Sequence, residues 1–220
     1  MVITIDGYAA SVKSSAAISL ANILQFRLLN TGWMYRAAGL TLQDRGFDLK
    51  AMPRDRDGIR GVLADIKFDM PPDKVILGGI DFTERMNCPG AGATASLVGT
   101  FEEVREKLKA EQRRIAEGEN IICEGRDQGT AVFPEARVKF FFWASPEVRA
   151  ARRMNQLIHA DHATILRQIQ ERDFQDEHRV IDPLCAAQDA IRFDTSVLSE
   201  AEVLQKMLAV VAERRTSVSS

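Results

Sequence analysis

Cysteine is scarce in this chain, and what there is lies scattered. Cys88, Cys123 and Cys185 are the three cysteines among 220 residues, an odd number with no C-x-x-C pair. That pattern excludes a disulfide framework and favours a reducing compartment, the cytosol. Long apolar runs are missing as well: none approaches the roughly 18 residues of a spanning helix. The opening "MVITIDG" has no basic region and no small-residue cleavage site, so no secretory signal is expected. Net charge is nearly balanced at −2, which gives no overall drive toward nucleic acid or an anionic membrane. Histidine is equally rare. His159 and His162 have H-x-x-H spacing and His178 follows, but no partner stands at ligand spacing, so they read as surface residues. Internal repeats and low-complexity segments are also lacking.

What is present is an ordinary globular composition, 45% apolar and 27% charged. The length suffices for a sizeable core and suits one domain with a small insertion. "VITID" is short, β-branched and bounded by Gly7, the mark of a buried strand. Ala17, Leu20, Ala21 and Leu24 then recur at i, i+3, i+4 and i+7, a helix face. "FRLLN" reads as a second strand and "MYRAAGLTLQDRG" as a helix ended by Gly46. "IKFDMPPDKVILGGIDFT" holds two strand-like runs around "PPD", a hairpin on a peripheral insertion. Thr100 and Glu103 form an expected capping box for the helix through "VREKLKAEQRRIAEG". "NIICEG", "VKFFFWA" and "AIRFDT" are further strands, and two Arg-rich helical segments flank "HADHA". "SEAEVLQKMLAVVAERR" closes as a helix, with "TSVSS" as a frayed tail. Trp33, Met34, Tyr35 and Trp143 read as packing residues.

Strands alternating with helices predict an α/β fold with a doubly wound parallel sheet, whose ligands bind beyond the carboxyl ends of the strands. "GYAASVKSS", "NTGWMYR", "EGRDQGT" and "DTS" all fall at such ends, which implies one shared site. The first is nearly G-x-x-x-x-G-K-[ST], the loop whose backbone N–H groups curl around phosphates at a helix N-terminus. Lys13 and Ser14 are in place to reach the phosphates and help hold Mg²⁺, but Val12 stands where the second glycine belongs. A β-branched residue at positive φ predicts about 1–3 kcal/mol of strain, or a reshaped loop. Read alone, the stretch also fits, as the lesser reading, a plain strand–turn–helix with a surface lysine.

In "EGRDQGT", Arg126 suits a phosphate and Asp127 can accept from an exocyclic amine, although an isolated "GRD" also fits a surface ion pair. Arg172, Asp176 and Arg179 share one helix face, and Arg149, Arg152 and Arg153 share another. Such faces are usually solvated and salt-bridged. The functional reading is a lid whose guanidinium groups close on transferring phosphates.

Taken in order, these stretches resemble the bacterial cytidylate kinases, within the nucleoside monophosphate kinase family. The resemblance rests on "VITIDG" with its loop, "NTGWMYR", "ASLVGTFEEVRE", "EGRDQGTAVFPEARVKFFFWASPEVRAARR", "ERDFQDEHR" and "PLCAAQDAIRFDTS". It implies a three-layer P-loop kinase core with a parallel sheet. To this it adds an NMP-binding insertion, about residues 31–100, with a small antiparallel sheet, and a short helical lid, about 152–172. All of it belongs to one cytidylate-kinase-like domain over 1–220. The implied reaction is Mg²⁺-dependent transfer from ATP to CMP or dCMP by a cytosolic monomer, with no polymeric nucleic acid and no membrane as partner.

By motif, Gly7, Ala9, Ala10, Ser11, Val12, Lys13, Ser14 and Ser15 would bind ATP, with Ser14 on the metal. Lys13, Arg126, Arg153 and Arg172 would act in catalysis, with Arg152 a further lid candidate. Thr31, Arg36 and Arg126 would hold the acceptor phosphate. Ser96, Arg105 and Asp127 would read cytosine, and Arg172, Asp176 and Arg179 would face the sugar and nucleotide. A carboxylate at Asp127 would welcome the cytosine amine and repel the uracil carbonyl. Three departures weigh against the resemblance. Ala10 and Val12 replace loop glycines, Asn30 stands where the family usually has Asp, and the lid is trimmed. They leave open a kinase-like nucleotide-binding module with little or no transfer, and a kinase of UMP or AMP.

Overall fold

The computed structural model describes residues 1–50, 55–64, 66–88, 90–155 and 161–216. The chain runs β1 (Val2–Gly7), α1 (Lys13–Leu24), β2 (Arg27–Asn30), α2 (Thr31–Asp44) and α3 (Arg56–Ala64). Three short strands follow, β3 (Phe68–Asp69), β4 (Ile76–Leu77) and β5 (Ile80–Asp81), then a 3-10 turn (Thr83–Asn87), α4 (Ala91–Val98) and α5 (Glu102–Ala116). The remainder is β6 (Ile121–Glu124), a π-helical turn (Gln128–Val132), β7 (Val138–Trp143), α6 (Pro146–Met154), α7 (His162–His178), β8 (Ile191–Asp194) and α8 (Glu200–Thr216). Contacts divide the chain into two compact units, Met1–Leu28 with Asn120–Ser220, and Leu29–Glu119.

The first unit is built on a sheet of order β2-β6-β1-β7-β8. β1 runs parallel to both β6 and β7, with Ile5 opposite Glu124 on one side and Phe140 on the other. β8 runs parallel to β7. Strands covered on both faces read as near-continuous apolar runs, as β6 and β7 do. Ile3 and Ile5 of β1 pack with Ala16, Ala17 and Leu20 of α1 and with Val203, Met207 and Val211 of α8. Strand alternation then turns Thr4 and Asp6 to the opposite face, where both are buried. Burying a carboxylate at mid-sheet is costly without hydrogen-bond partners, so Asp6 marks the functional end of the strand.

The second unit holds an antiparallel sheet of order β3-β4-β5. Phe68 lies opposite Leu77 and Ile76 opposite Asp81. The expected hairpin around "PPD" is therefore present, and the turn at Gly78–Gly79 adds a third strand that the sequence reading missed. Arg56 of α3 pairs with Glu102 and Glu103 of α5, and Arg85 grips Asp44 through two bonds of 2.6 and 2.9 Å. The capping box at Thr100 and Glu103 does not form. The Thr100 hydroxyl donates to the Leu97 carbonyl (2.7 Å), Glu103 is engaged by Arg56, and α5 starts after Phe101 with no side-chain cap. A carboxylate paired with a guanidinium gains more than it would from a single backbone amide.

The last residue of β1 decides how closely the loop behind it can lie. Gly7 has φ +138°, and a Cβ there would sit 2.1 Å from the Phe142 carbonyl oxygen of β7. Gly7→Ala should therefore cost about 2–5 kcal/mol of stability, from backbone strain plus forced separation of β1 and β7. Urea unfolding of the two proteins measures it, and a loss below about 1 kcal/mol would contradict the close approach.

Candidate active site

After Gly7 the chain turns toward α1 through two left-handed residues, Ala10 (φ 57°) and Val12 (φ 58°). These are the positions where glycine was expected, and the backbone keeps the glycine shape with other residues in it. The loop is strained, and it is not reshaped. The contacts that hold it are specific. The Val12 carbonyl accepts from the Ala16 amide (3.1 Å) and the Ser15 hydroxyl (3.0 Å), locking the start of α1. The Tyr8 carbonyl accepts from the Ser11 hydroxyl (2.8 Å) and from Lys13 Nζ (2.5 Å). The Thr195 hydroxyl lies 3.3 Å from the Ser11 carbonyl and 3.1 Å from that of Trp143. Arg149 reaches the Ala9 carbonyl at 3.5 Å.

Lys13 heads α1 and is 4% exposed. Burial, aided by the Arg126 guanidinium, pushes its ammonium down to about 7. An arriving triphosphate would supply the missing counter-charge. The exposed Ser14 donates its hydroxyl to Glu124 Oε1 at 2.8 Å. Glu124 went unnoticed in the sequence, although it ends β6 beside β1, where a strand-end carboxylate is a usable signal. A hydroxyl and a carboxylate oxygen at a helix N-terminus are hard donors of the kind that bind Mg²⁺ together with substrate phosphates. Among the described residues no three His, Cys, Asp or Glu side chains cluster as metal ligands. His162 begins α7 and His178 ends it, while His159 lies outside the described residues.

The "EGRDQGT" turn hangs on Asp6. The carboxylate accepts the Gln128 amide on Oδ1 (2.8 Å) and the Gly129 amide on Oδ2 (2.7 Å). Gly129 permits this approach, since a Cβ there would lie 2.9 Å from Thr4 Oγ1 and 3.4 Å from Asp6 Oδ2. The same turn presents Arg126 and the buried Asp127. Arg126 Nε lies 3.1 Å from Asp176 Oδ2, Arg172 Nε 3.9 Å from the same oxygen, and Arg179 Nη2 3.7 Å from Asp127 Oδ1. In the first unit Arg126 and Arg172 thus share Asp176 and both act electrostatically on Lys13, while Arg179 lies beside Asp127.

The three arginines of α6 do not act as one face. Arg149 is buried and donates to both oxygens of Asp173 (3.0 and 2.5 Å) and to the Ala144 carbonyl (2.8 Å). Arg152 donates to the Thr195 carbonyl at 2.5 Å. Arg153 alone lies on the exposed side. The i, i+3, i+4 spacing places the side chains near one another, but the partners each meets on α7 and after β8 pull them apart in role. Burial and partners thus differ among the three, although the spacing is shared.

In the second unit Thr31 opens α2 and is buried. Asn30 caps that helix, its Oδ1 accepting the Trp33 amide at 3.3 Å, so the amide retains the capping role of a carboxylate without its charge. Arg36 donates to the Met86 carbonyl (2.7 Å). Arg105 is fully buried, donates to the Gly99 carbonyl (3.2 Å) and lies 5.8 Å from the Tyr35 ring centroid. Ser96 is half-buried on α4.

The cytidylate kinase family profile matches residues 3–213. This chain belongs to the cytidylate kinase family. It is 41% identical over 216 residues to the cytidylate kinase of Thermotoga neapolitana, covering 96% of this chain and 97% of that one. It is 39% identical over 219 residues to the cytidylate kinase of Rhodococcus jostii, covering 97% and 96%. An uncharacterised protein from Eubacterium ventriosum shares the fold at a TM-score of 0.54 and 11% identity, over 96% of this chain and 98% of that one.

In this cytidylate kinase family member Asp6 is a carboxyl buried at the end of the central strand. Burial pushes its carboxyl up to about 7, against the two backbone amides that favour the anion. Its folded-state value therefore exceeds the unfolded one. The resulting stability is full below about 4 and is lost as pH rises through 7. Asp173 is raised by burial too and adds in the same direction. The melting temperature should fall from pH 5 to pH 6.5, below the range where loss of the Lys13 proton, its ammonium lowered to about 7, acts in the opposite sense. Asp6→Asn should flatten most of that slope, while lowering the melting temperature at every pH. Calorimetry at constant ionic strength measures both, and an unchanged slope in Asp6→Asn would refute the assignment.

Proposed function

We propose that this cytidylate kinase family member transfers the γ-phosphoryl group of ATP to CMP or dCMP, giving ADP and CDP or dCDP. The observation that carries the reading is the loop itself. Ala10 and Val12 adopt the glycine conformation, so the backbone N–H groups before Lys13 keep the phosphate-cradling arrangement despite the substitutions. This favours an active enzyme over a module that binds nucleotides without turnover. The three free thiols support a reducing, cytosolic setting, and no helix among the described residues is long and apolar enough to cross a membrane.

Phosphoryl transfer asks for positioning and charge stabilisation rather than a protein nucleophile. Lys13 takes the β- and γ-phosphates, and Gly7, Ala9, Ser11 and Ser15 shape the loop around them. Ser14 would hold Mg²⁺ with Glu124 beside it, and the ion when bound neutralises developing phosphate charge. Arg126, Arg153 and Arg172 stabilise the transferring group. Thr31 and Arg36 hold the acceptor phosphate. Asp127 accepts from the cytosine N4 amine, Arg105 donates to the ring acceptors, and Ser96 assists. Asp176 and Arg179 face the sugar and nucleotide. The guanidinium groups of Arg126 and Arg179 keep the Asp176 and Asp127 carboxylates oriented for these tasks.

In a coupled assay with ATP and Mg²⁺, CMP should be preferred over UMP by at least about 100-fold in kcat/KM. Asp127→Ala should lower kcat/KM for CMP by about 10–100-fold and narrow that preference. Folded protein that forms no ADP with CMP would overturn the proposal.

A further inference from the structure

Left-handed residues other than glycine persist only where their surroundings over-determine them. This loop has two of them, one β-branched, within three residues. Its fixed points converge on Tyr8. The Tyr8 carbonyl receives both the Ser11 hydroxyl and Lys13 Nζ. The residue that carries that carbonyl is held twice, by its amide on the Phe142 carbonyl (3.3 Å) and by its side chain. The ring meets Phe141 edge-on at 6.0 Å between centroids and lies 5.0 Å beneath the Arg149 guanidinium. The hydroxyl donates to Glu177 of α7 at 2.5 Å. Burial and Glu177 hold the phenol well above its ordinary range, so it stays a donor at any working pH. Arg149 is fixed in turn by both oxygens of Asp173, so the ring is clamped between a β-strand and two helices.

We infer that Tyr8 is a positioning residue that keeps this glycine-poor loop in its phosphate-binding shape, standing in for the conformational freedom that glycine would supply at positions 10 and 12. The inference rests on the proposed use of the loop for ATP. It goes further in assigning the loop's shape to a side chain that touches no phosphate. Two opposed consequences follow. Losing the ring lets the native loop relax, which recovers its strain but spoils the cradle. In a loop with glycines restored, losing the ring costs packing and leaves the cradle intact.

The test is a double-mutant cycle of Tyr8→Ala against Ala10→Gly/Val12→Gly, with ATP–Mg²⁺ and CMP affinities measured by titration calorimetry. In the native loop, Tyr8→Ala should weaken ATP about tenfold and CMP less than about twofold, and Tyr8→Phe should stay within about threefold of the parent for ATP. In the glycine-restored loop, Tyr8→Ala should change ATP affinity less than about threefold. Equal losses in the two loops, or an equal loss for CMP, would overturn the inference. If the parent binds no ATP, the functional proposal fails, and the melting temperatures alone then decide. Tyr8→Ala must lower the melting temperature less in the native loop than in the glycine-restored one, and equal losses reject Tyr8. Should Tyr8→Ala not fold, Tyr8→Leu carries the same comparison.

Discussion

One buried carboxylate joins the two parts of the first unit's chemistry. Asp6 sits at the carboxyl end of the central strand, one residue before the phosphate loop. Its two oxygens take the amides that follow Asp127. Strand alternation makes this possible: with Ile3 and Ile5 committed to the core beneath α1 and α8, Asp6 must point to the other face. There the bonds from the Gln128 and Gly129 amides offset part of its desolvation, and burial still holds the carboxyl above its ordinary range. Asp6 thus ties the start of the loop before α1 to the turn that presents Arg126 and Asp127.

The arginines around this point are held in pairs with carboxylates. Arg149 belongs to Asp173, Arg126 and Arg172 share Asp176, and Arg179 leans on Asp127. Cations kept in place this way, with Arg149 buried and the other three partly so, need little reorganisation to meet an anion. The pairing also divides the labour. Arg149 and Arg152 are spent on architecture, one against α7 and one against the segment after β8, while Arg153 stays exposed.

Much of the molecule could be read along the chain. The parallel strands declared themselves as apolar runs because both of their faces are buried, and α1 by its four-residue spacing of small and apolar side chains. The phosphate loop was legible from Lys13 and Ser14 in strand–loop–helix context, and the family from the order of its motifs. What escaped was anything that depends on a partner remote in sequence. Thr100 and Glu103 have the spacing of a capping box, but Leu97 and Arg56 claim them. Glu124 looks like a strand residue until Ser14 is found 2.8 Å away. Arg149, Arg152 and Arg153 share a helical spacing that says nothing of Asp173 or Thr195.

The sequence by itself determined the fold class, the family and the residue types that the chemistry needs, because periodicity and motif order are local properties. Only the tertiary structure decided the conformation of Ala10 and Val12. Local preference alone disfavours a left-handed valine. Tyr8, Ser11, Lys13, Thr195 and Arg149 hold it there by contacts that span up to 184 positions of sequence. A backbone state that is costly for the residue in it can be chosen only by the rest of the fold.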